Sequence, residues 1–413
     1  MVLLLSLLAC KTDAPKPDGS AITYYRDVRP VLDMSCARCH NDAGIASSFD
    51  DPAVVQALAA TLKAHTVSGY MPPPAPAADC REYASSERFT LTDAQKATIA
   101  AWADTGAALG DPADAPAARD TTLETIAPYD VELWASQPYT PSFTSTDGND
   151  YRCFLIDVGN IAPVWITALQ AEIDNPKIVH HVVLFQPSTV DDLYANGDPY
   201  AGFSCGGVGQ SNWSTLGAWA PGANPTVLPE GVGIPLPANA QVVLQMHYFN
   251  SFDGADQQQD QSGYGLLLSD SVERNAVNIP AGPTRFTIPA GDENYTVKEQ
   301  YRWDSNSEVL SVWPHMHLLG IGFEETVTHA DGSEECLMRM DGWDFHNQVT
   351  ANFLQPAALQ PGDRIRVTCT YDNSANNPAQ VSSPPVDVSF GEGTTDEMCF
   401  GFTLVADAAP SAR

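Results

Sequence analysis

Positive charge is scarce in this chain of 413 residues: 20 Lys and Arg stand against 51 Asp and Glu, a formal net charge of −31. Such a polyanion repels phosphate backbones and anionic headgroups, which excludes nucleic acid as a partner and a membrane surface held by charge. Long apolar runs are lacking too. The stretch MVLLLSLLAC at residues 1–10 is too short to span a bilayer and has the length of a signal-peptide core, although no basic residue precedes it. Long helical periodicities are few and no short-period repeat is visible. Instead, 29 Gly and 32 Pro punctuate short alternating segments. With 44% hydrophobic residues the chain is globular, and it is long enough for roughly two to four domains.

Leu7-Leu8-Ala9-Cys10 matches a bacterial lipoprotein cleavage box with Cys10 as the lipidated residue; an ordinary secretory signal is the alternative. Either way an exported chain is expected, periplasmic or anchored at the outer membrane, where disulfides persist. Residues 11–20 read as a polar tether. Cys36 and Cys39 belong to a second motif, described next. The remaining Cys80, Cys153, Cys205, Cys336, Cys369 and Cys399 can pair in many ways, and their spacing does not choose among them.

Residues 21–107 form a first, helical unit. Residues 24–32 read as a helix leading into Cys36-Ala37-Arg38-Cys39-His40, and residues 58–65 as a second helix. A third starts near residue 91, with Thr92 as N-cap and Gln95 three positions on. Cys-x-x-Cys-His is the attachment sequence of a c-type haem: two thiols form thioethers and the histidine reaches the iron from the same short loop. Coincidence or a plain disulfide is the competing reading of a spacing that is rare by chance in an exported protein. Met71, in Gly69-Tyr70-Met71-Pro72-Pro73-Pro74, is the favoured sixth ligand, since a thioether raises the potential of an electron-transfer haem and the prolines stiffen the loop; His65 competes. The unit resembles class I cytochrome c domains: an opening helix, the haem motif, a methionine loop and a closing helix with an aromatic, Trp102.

Residues 108–128, rich in Ala, Asp and Pro, read as a linker. Beyond them come short segments rich in β-branched and aromatic residues, bounded by Pro, Gly, Asn or Asp, such as residues 178–185, 241–249 and 364–369. Their total length exceeds one sandwich, so two β domains are expected, residues 129–272 and 273–413. The predicted fold is mainly β, with two tandem antiparallel, jelly-roll-like β-sandwiches preceded by a small all-α cytochrome c-like domain.

Histidine is also scarce, yet five of the nine fall in three runs: Val179-His180-His181, Met246-His247-Tyr248 and Pro314-His315-Met316-His317. Adjacent residues of a flat strand face opposite sides, so His180 and His181 share an ion only if the strand is twisted or bulged, or if they use different ring nitrogens. His315 and His317, two apart, face one side, the spacing of a two-histidine grip. A lone strand histidine such as His247 is more often a core residue than a ligand; the joint occurrence points to metal. His65, His329 and His346 have no clustered neighbour and are expected to be structural or exposed.

These runs carry a family resemblance. His180-His181-Val182-Val183-Leu184-Phe185, Leu216-Gly217-Ala218-Trp219-Ala220-Pro221-Gly222, Leu228-Pro229-Glu230-Gly231, Leu244-Gln245-Met246-His247-Tyr248, His315-Met316-His317-Leu318-Leu319-Gly320 and Thr395-Asp396-Glu397-Met398-Cys399 occur in the order found in the type II copper, ascorbate-dependent monooxygenases. The resemblance runs over residues 129–405. It implies two copper ions on two β-sandwiches facing each other across a solvent-filled cleft. His180, His181 and His247 would form an electron-storing site, and His315, His317 and Met398 the catalytic site where O₂ and substrate meet. A soft thioether suits Cu(I), although a methionine such as Met398 is ordinarily core. The resemblance further implies disulfides Cys153–Cys205 and Cys369–Cys399. Cys80 and Cys336 have no counterpart: either they are free or they join the helical unit to the copper domains.

The implied reaction inserts one oxygen atom of O₂ into a C–H bond and reduces the other to water, using two electrons and two protons. Ascorbate is the family's usual reductant. Here the fused haem offers a route by which an external donor, a redox protein or an ascorbate-like reductant, feeds electrons singly to the first copper. Peptide-amidating members hold a substrate carboxylate with an arginine two residues before His-x-His and a tyrosine four after the methionine. Trp313 and Phe402 stand there, so a small apolar or aromatic organic substrate is expected. The competing readings are a non-enzymatic haem and copper electron carrier or copper-binding protein, and a zinc enzyme on the same imidazoles.

Overall fold

The structure, a computed structural model, describes residues 21–42, 46–117, 125–143, 148–206, 212–250, 254–391 and 393–408. The apolar leader with Cys10, the tether and part of the linker lie outside the described residues. Among those described, no helix is long and apolar enough to cross a membrane.

The first unit is helical. One turn of π-helix at Tyr24–Val28 runs into α1 (Arg29–Ser35), followed by α2 (Pro52–Ala57), α3 (Ala59–Ser68) and α4 (Asp93–Asp104). Helix α4 starts as its sequence dictates. The Thr92 hydroxyl accepts from the Gln95 N–H, and the Gln95 side chain accepts from the Thr92 N–H at 2.8 Å, so two donors that a helix start leaves open are satisfied. Val28, Leu32, Val55, Leu62, Ile99 and Trp102 form the unit's own core.

The rest is strand. A five-stranded sheet runs in the order Phe203–Ser204, Asn149–Asp157, Gln241–Phe249, Val179–Pro187, Trp213–Trp219. It packs against Val131–Trp134, Gly263–Ser269, Val164–Glu172 and Val232–Leu236, around Phe154, Leu169, Leu184, Leu244 and Tyr264. These facing strands do not end with the first half of the chain. Val232–Leu236 pairs in parallel with Arg274–Ala281 (Arg274 opposite Val232), which pairs antiparallel with Phe400–Asp407, and then come Ser307–His315 and Ala351–Leu359. The fold is mainly β, and its sheets are consistent with the expected β-sandwich domains; one nine-stranded sheet runs on from the first half into the second, and the parallel pair is the join. A four-stranded sheet of Tyr295–Arg302, Arg364–Tyr371, Gly320–Thr328 and Glu334–Met340 accompanies the second half, and Val309, Phe323, Val327, Leu337 and Val367 share one core.

The five-stranded sheet is apolar on both faces, which positions the site. In Gln241–Phe249, Val242, Leu244, Met246 and Tyr248 fill the first core. The period of two turns Val243 and His247 to the other face. There Cys153, Leu155, Val183, Phe185 and Val243 pack against Trp313, Met398, Phe400 and Phe402 of the second half. The two halves are thus joined by a buried apolar layer as well as by the shared sheet.

Three disulfides are present. Cys153–Cys205 and Cys369–Cys399 match the pairs implied by resemblance. Cys80–Cys336, which the sequence left open, ties the helical unit to the second half across 256 residues. Around it Arg81 pairs with Glu335 and lies 4.9 Å over the Phe353 ring, Arg339 pairs with Asp79 at 2.9 Å, and Ala77 N–H donates to Arg339 O at 2.7 Å. The unit also meets the first half. Arg38 of the haem motif donates to Asn224 Oδ1, and Asn224 Nδ2 donates to Ser85 Oγ at 3.3 Å.

Candidate metal centres

His181 and His247 are directly opposite in register, and the pairing shifts between Val179 and His181, so His180 occupies a bulge. This is the irregularity that two adjacent histidines need in order to turn toward one point. The three residues are buried, and one nitrogen from each lies within 4.8 Å of the others. His181 Nδ1 is 3.3 Å from His180 Nδ1 and 3.3 Å from His247 Nδ1. His247 Nε2 sits 2.6 Å from Asn149 Oδ1, so it carries the ring proton and leaves Nδ1 as a lone pair. His180 Nε2 is buried without a hydrogen-bond partner among the described residues. Burial, reinforced by the neighbouring imidazoles, pushes His180 down to about 3 and holds His181 and His247 far below the usual histidine range. Converging neutral nitrogens that one N–H cannot satisfy are a donor set suited to a cation. The Tyr151 ring lies flat on His247, 4.1 Å between centres.

His315 ends the strand Ser307–His315, and His317 lies just beyond it, not within a continuing strand. Their rings are 5.2 Å apart, while Met316 between them points into the core of the second half. His315 Nδ1 donates to Gln348 Oε1 at 2.7 Å and His317 Nδ1 donates to Asp396 O at 3.0 Å, which leaves both Nε2 atoms as lone pairs. Burial pushes His315 down to about 3 and His317 to about 4. The fully buried Glu397 carboxylate ties the segments together, accepting from His317 N at 2.9 Å, Leu319 N at 2.6 Å and Met398 N at 3.2 Å. Burial pushes that carboxyl up to about 8 against the pull of the three N–H donors. Met398 is fully buried in the layer between the halves, its carbonyl accepting from Tyr371 OH at 2.6 Å.

A solvent-filled cleft between the two sets was expected and is not what the structure shows. The rings of His181 and His315 are 6.3 Å apart, and all five histidines are at most 7% exposed. Phe345 lies between the sets, stacked at 4.9 Å on His180 and edge-on at 6.0 Å to His317. The shared sheet and the apolar layer draw the halves together. Beside His315, the Trp313 and Phe402 rings pack at 4.8 Å, and Trp313 Nε1 donates to Gln348 O at 3.0 Å.

The haem-motif residues line a cavity of about 370 Å³ in the helical unit. Cys36 and Cys39 are free thiols, unlike the six disulfide-bonded cysteines. Burial pushes the Cys36 thiol up to about 12 and raises that of Cys39. His40 Nδ1 donates to Ser47 O at 2.8 Å, leaving Nε2 as the free lone pair, and its ring stacks on Phe49 at 4.1 Å. Met71 and His65 both stand on the wall of the same cavity. Two free thiols, an oriented imidazole and a methionine on the same cavity wall are residues that a covalent haem would fit.

Some residues at these sites carried no signal in the sequence. Asn149, Gln348 and Phe345 touch the clustered histidines but lie in ordinary polar or aromatic settings. His346 was expected to be structural or exposed, and it is exposed. It lines the haem-motif cavity, with Asp344, and its ring is 5.6 Å from that of His180. His329 was unassigned too, and it bonds Asp363 and Glu335 at 3.1 Å each.

Comparison with known proteins shows the family. Residues 140–254 match the N-terminal domain, and residues 278–408 the C-terminal domain, of the copper type II ascorbate-dependent monooxygenases. Peptidyl-glycine alpha-amidating monooxygenase A of Xenopus laevis is 26% identical over 279 residues, 63% of this chain and 26% of that protein. DBH-like monooxygenase protein 2 of Mus musculus is 24% identical over 259 residues, 55% of this chain and 38% of that protein. The chain thus spans well under half the length of these relatives. Among solved structures, the VP2 subviral particle of infectious bursal disease virus is 12% identical over 69% of this chain and 73% of its own, at a TM-score of 0.22, too remote to bear on the fold.

Proposed function

Because the chain belongs to the copper type II, ascorbate-dependent monooxygenase family, we propose that it hydroxylates a C–H bond of a small apolar organic molecule with O₂. In this reading His180, His181 and His247 hold one copper ion, and His315, His317 and Met398 hold a second. The observation that carries it is the pairing of two buried sets of neutral imidazoles, with His247, His315 and His317 each oriented by a hydrogen bond from the other ring nitrogen. Bound copper supplies one-electron storage and dioxygen activation. The protein's part is to fix the donors and to keep water out. Asn149, Gln348 and the Asp396 carbonyl set the ring tautomers, Glu397 holds the backbone of His317 and Met398 in register, and the Met398 thioether favours the cuprous state. Phe345, Trp313 and Phe402 wall the second site with rings and offer no cation to a carboxylate, which favours an apolar or aromatic substrate.

The same proposal places a c-type haem on Cys36, Cys39 and His40, with Met71 or His65 as sixth ligand, supplied by an external redox protein or an ascorbate-like reductant. Its support is the cavity with its two free thiols. It also has the chain exported and Cys10 lipidated; three disulfides speak for an oxidising compartment.

One observation favours a second reading, a non-enzymatic haem and copper carrier: the rings of His181 and His315 stand 6.3 Å apart, and the five histidines are buried among the described residues. Two measurements separate the readings. Metal and haem analysis is expected to give two coppers, one haem and no zinc per chain. Candidate substrates screened by stimulated O₂ uptake, followed with ¹⁸O₂, should yield a product carrying one labelled oxygen. Copper and haem without label in any product would leave only the carrier; zinc in place of copper would refute both.

A further inference from the structure

The haem-motif cavity and the first histidine set are not separate features of the molecule. The cavity wall that closes it toward the second half carries Asp344, His346 and Asn347, and toward the first half Pro221. His346 is common to both sides. It borders the cavity that holds Cys36, Cys39 and His40, and its ring centre lies 5.6 Å from that of His180 and 5.8 Å from that of Phe249. The side chain is half exposed, and its ring is tethered on one edge: its Nδ1 and its backbone N–H bond Asp344 Oδ1 at 3.1 Å and 2.9 Å. The mounting is rigid. Asn347 Nδ2 donates to Pro74 O at 3.0 Å, next to the Met71 loop, and the Cys80–Cys336 disulfide with the Arg339–Asp79 pair holds the helical unit against this face. On its inner side Phe345 stacks on His180 and reaches His317.

We propose that His346, clamped by Asp344, is the positioning residue that couples the haem-motif cavity to the His180–His181–His247 site and carries electrons between them. The inference rests on the reading that haem and copper occupy these two places. Electron transfer through protein weakens steeply with every gap in van der Waals contact, and a conjugated ring that borders one centre and meets a ligand of the other removes such a gap. The electrons balance as two identical steps. In each, one electron leaves a ferrous centre, which becomes ferric, and one cupric ion on the histidine side becomes cuprous. A one-electron donor outside the chain, a redox protein or an ascorbate-like reductant, restores the ferrous state. No proton need cross with the electron.

The test uses the full chain loaded with haem and copper, without oxygen. The haem is reduced by a light flash with a photosensitiser, and its reoxidation is followed in its visible absorption bands alongside loss of the cupric electron-spin signal. His346→Ala is expected to slow reoxidation roughly tenfold or more, a barrier change of about 1.4 kcal/mol, with haem spectrum and copper content intact. His346→Phe, which keeps a ring in place, is expected to restore most of the rate. His329→Ala, at the remote surface histidine, should keep the original rate. An unchanged rate in His346→Ala, or a phenylalanine variant as slow as the alanine one, overturns the proposal. If the alanine variant loses a cofactor, the phenylalanine variant decides, since it must keep both cofactors and the rate. A chain that binds no haem at all overturns the haem reading itself, an outcome that the haem spectrum distinguishes from failure of the coupling alone.

Discussion

The ring of His181 stands 6.3 Å from that of His315, at 89° to it. One residue lies on the first half's five-stranded sheet and the other at the end of a strand of the second half. Their approach is set by packing that involves neither: Leu155, Val183 and Val243 against Trp313, Phe400 and Phe402. The two sets are neighbours in space; on the proposed reading they differ in donors, three imidazoles against two imidazoles and a thioether, and should be separable by mutation.

His247→Ala is expected to lower the copper content from two ions per chain to one, and His315→Ala to do the same from the other side. Metal analysis of the dialysed proteins checks this. A single variant that loses both ions would show that the sets form one joint centre.

Gln348 touches neither expected metal position, yet its Oε1 holds His315 Nδ1 at 2.7 Å and its backbone carbonyl holds Trp313. Gln348→Ala removes the acceptor that fixes the His315 tautomer, and should weaken copper binding at the second site by about 10- to 100-fold. Competitive chelator titration measures it, with the first site as internal reference.

Glu325 is fully buried, with Oε1 accepting from Thr403 Oγ1 at 2.7 Å and Oε2 without a partner among the described residues. Burial pushes its carboxyl from 4.5 up to about 7. A raised carboxyl keeps its proton in the folded chain after the unfolded chain has lost it. Its contribution is therefore complete below the unfolded value, declines as pH rises through the window, and is lost above the folded value. Glu325→Gln should match the parent in acid and exceed it above neutrality, by on the order of 3 kcal/mol. Denaturant unfolding at several pH values reads the difference; a pH-independent difference would sink the assignment.

Cys80–Cys336 closes a loop of 256 residues between the helical unit and the second half. Replacing both cysteines by serine should cost about 2–5 kcal/mol and expose the segment around residues 72–81 to protease, since the remaining polar ties among the described residues are two ion pairs, a cation–ring contact and a few hydrogen bonds. Two ion pairs, Arg81–Glu335 and Arg339–Asp79, stay in place in that variant, and thermal melting with limited proteolysis tests both parts.

Much of this was legible in the chain because it is local. Cys36, Cys39 and His40 lie within one short loop, so their motif needs no tertiary information. The Thr92–Gln95 capping box and the alternation of Val242 through Tyr248 are equally short-range, and the structure follows them. The bulge at His180 could be stated only as a condition, because whether a strand bulges depends on its partner, here the strand of His247.

What the sequence alone determined is therefore the chemistry at hand: which imidazoles, thiols and thioether exist, on strand or helix, and in what local order. The tertiary structure decided which of them meet. His346 reaches His180 across 166 residues, Cys80 finds Cys336, and the expected cleft is a closed layer. The reason is physical. A local motif is held by its own covalent geometry and backbone period, whereas these long-range pairs follow from how two-faced sheets bury their second apolar face, and that depends on the shape of the whole chain.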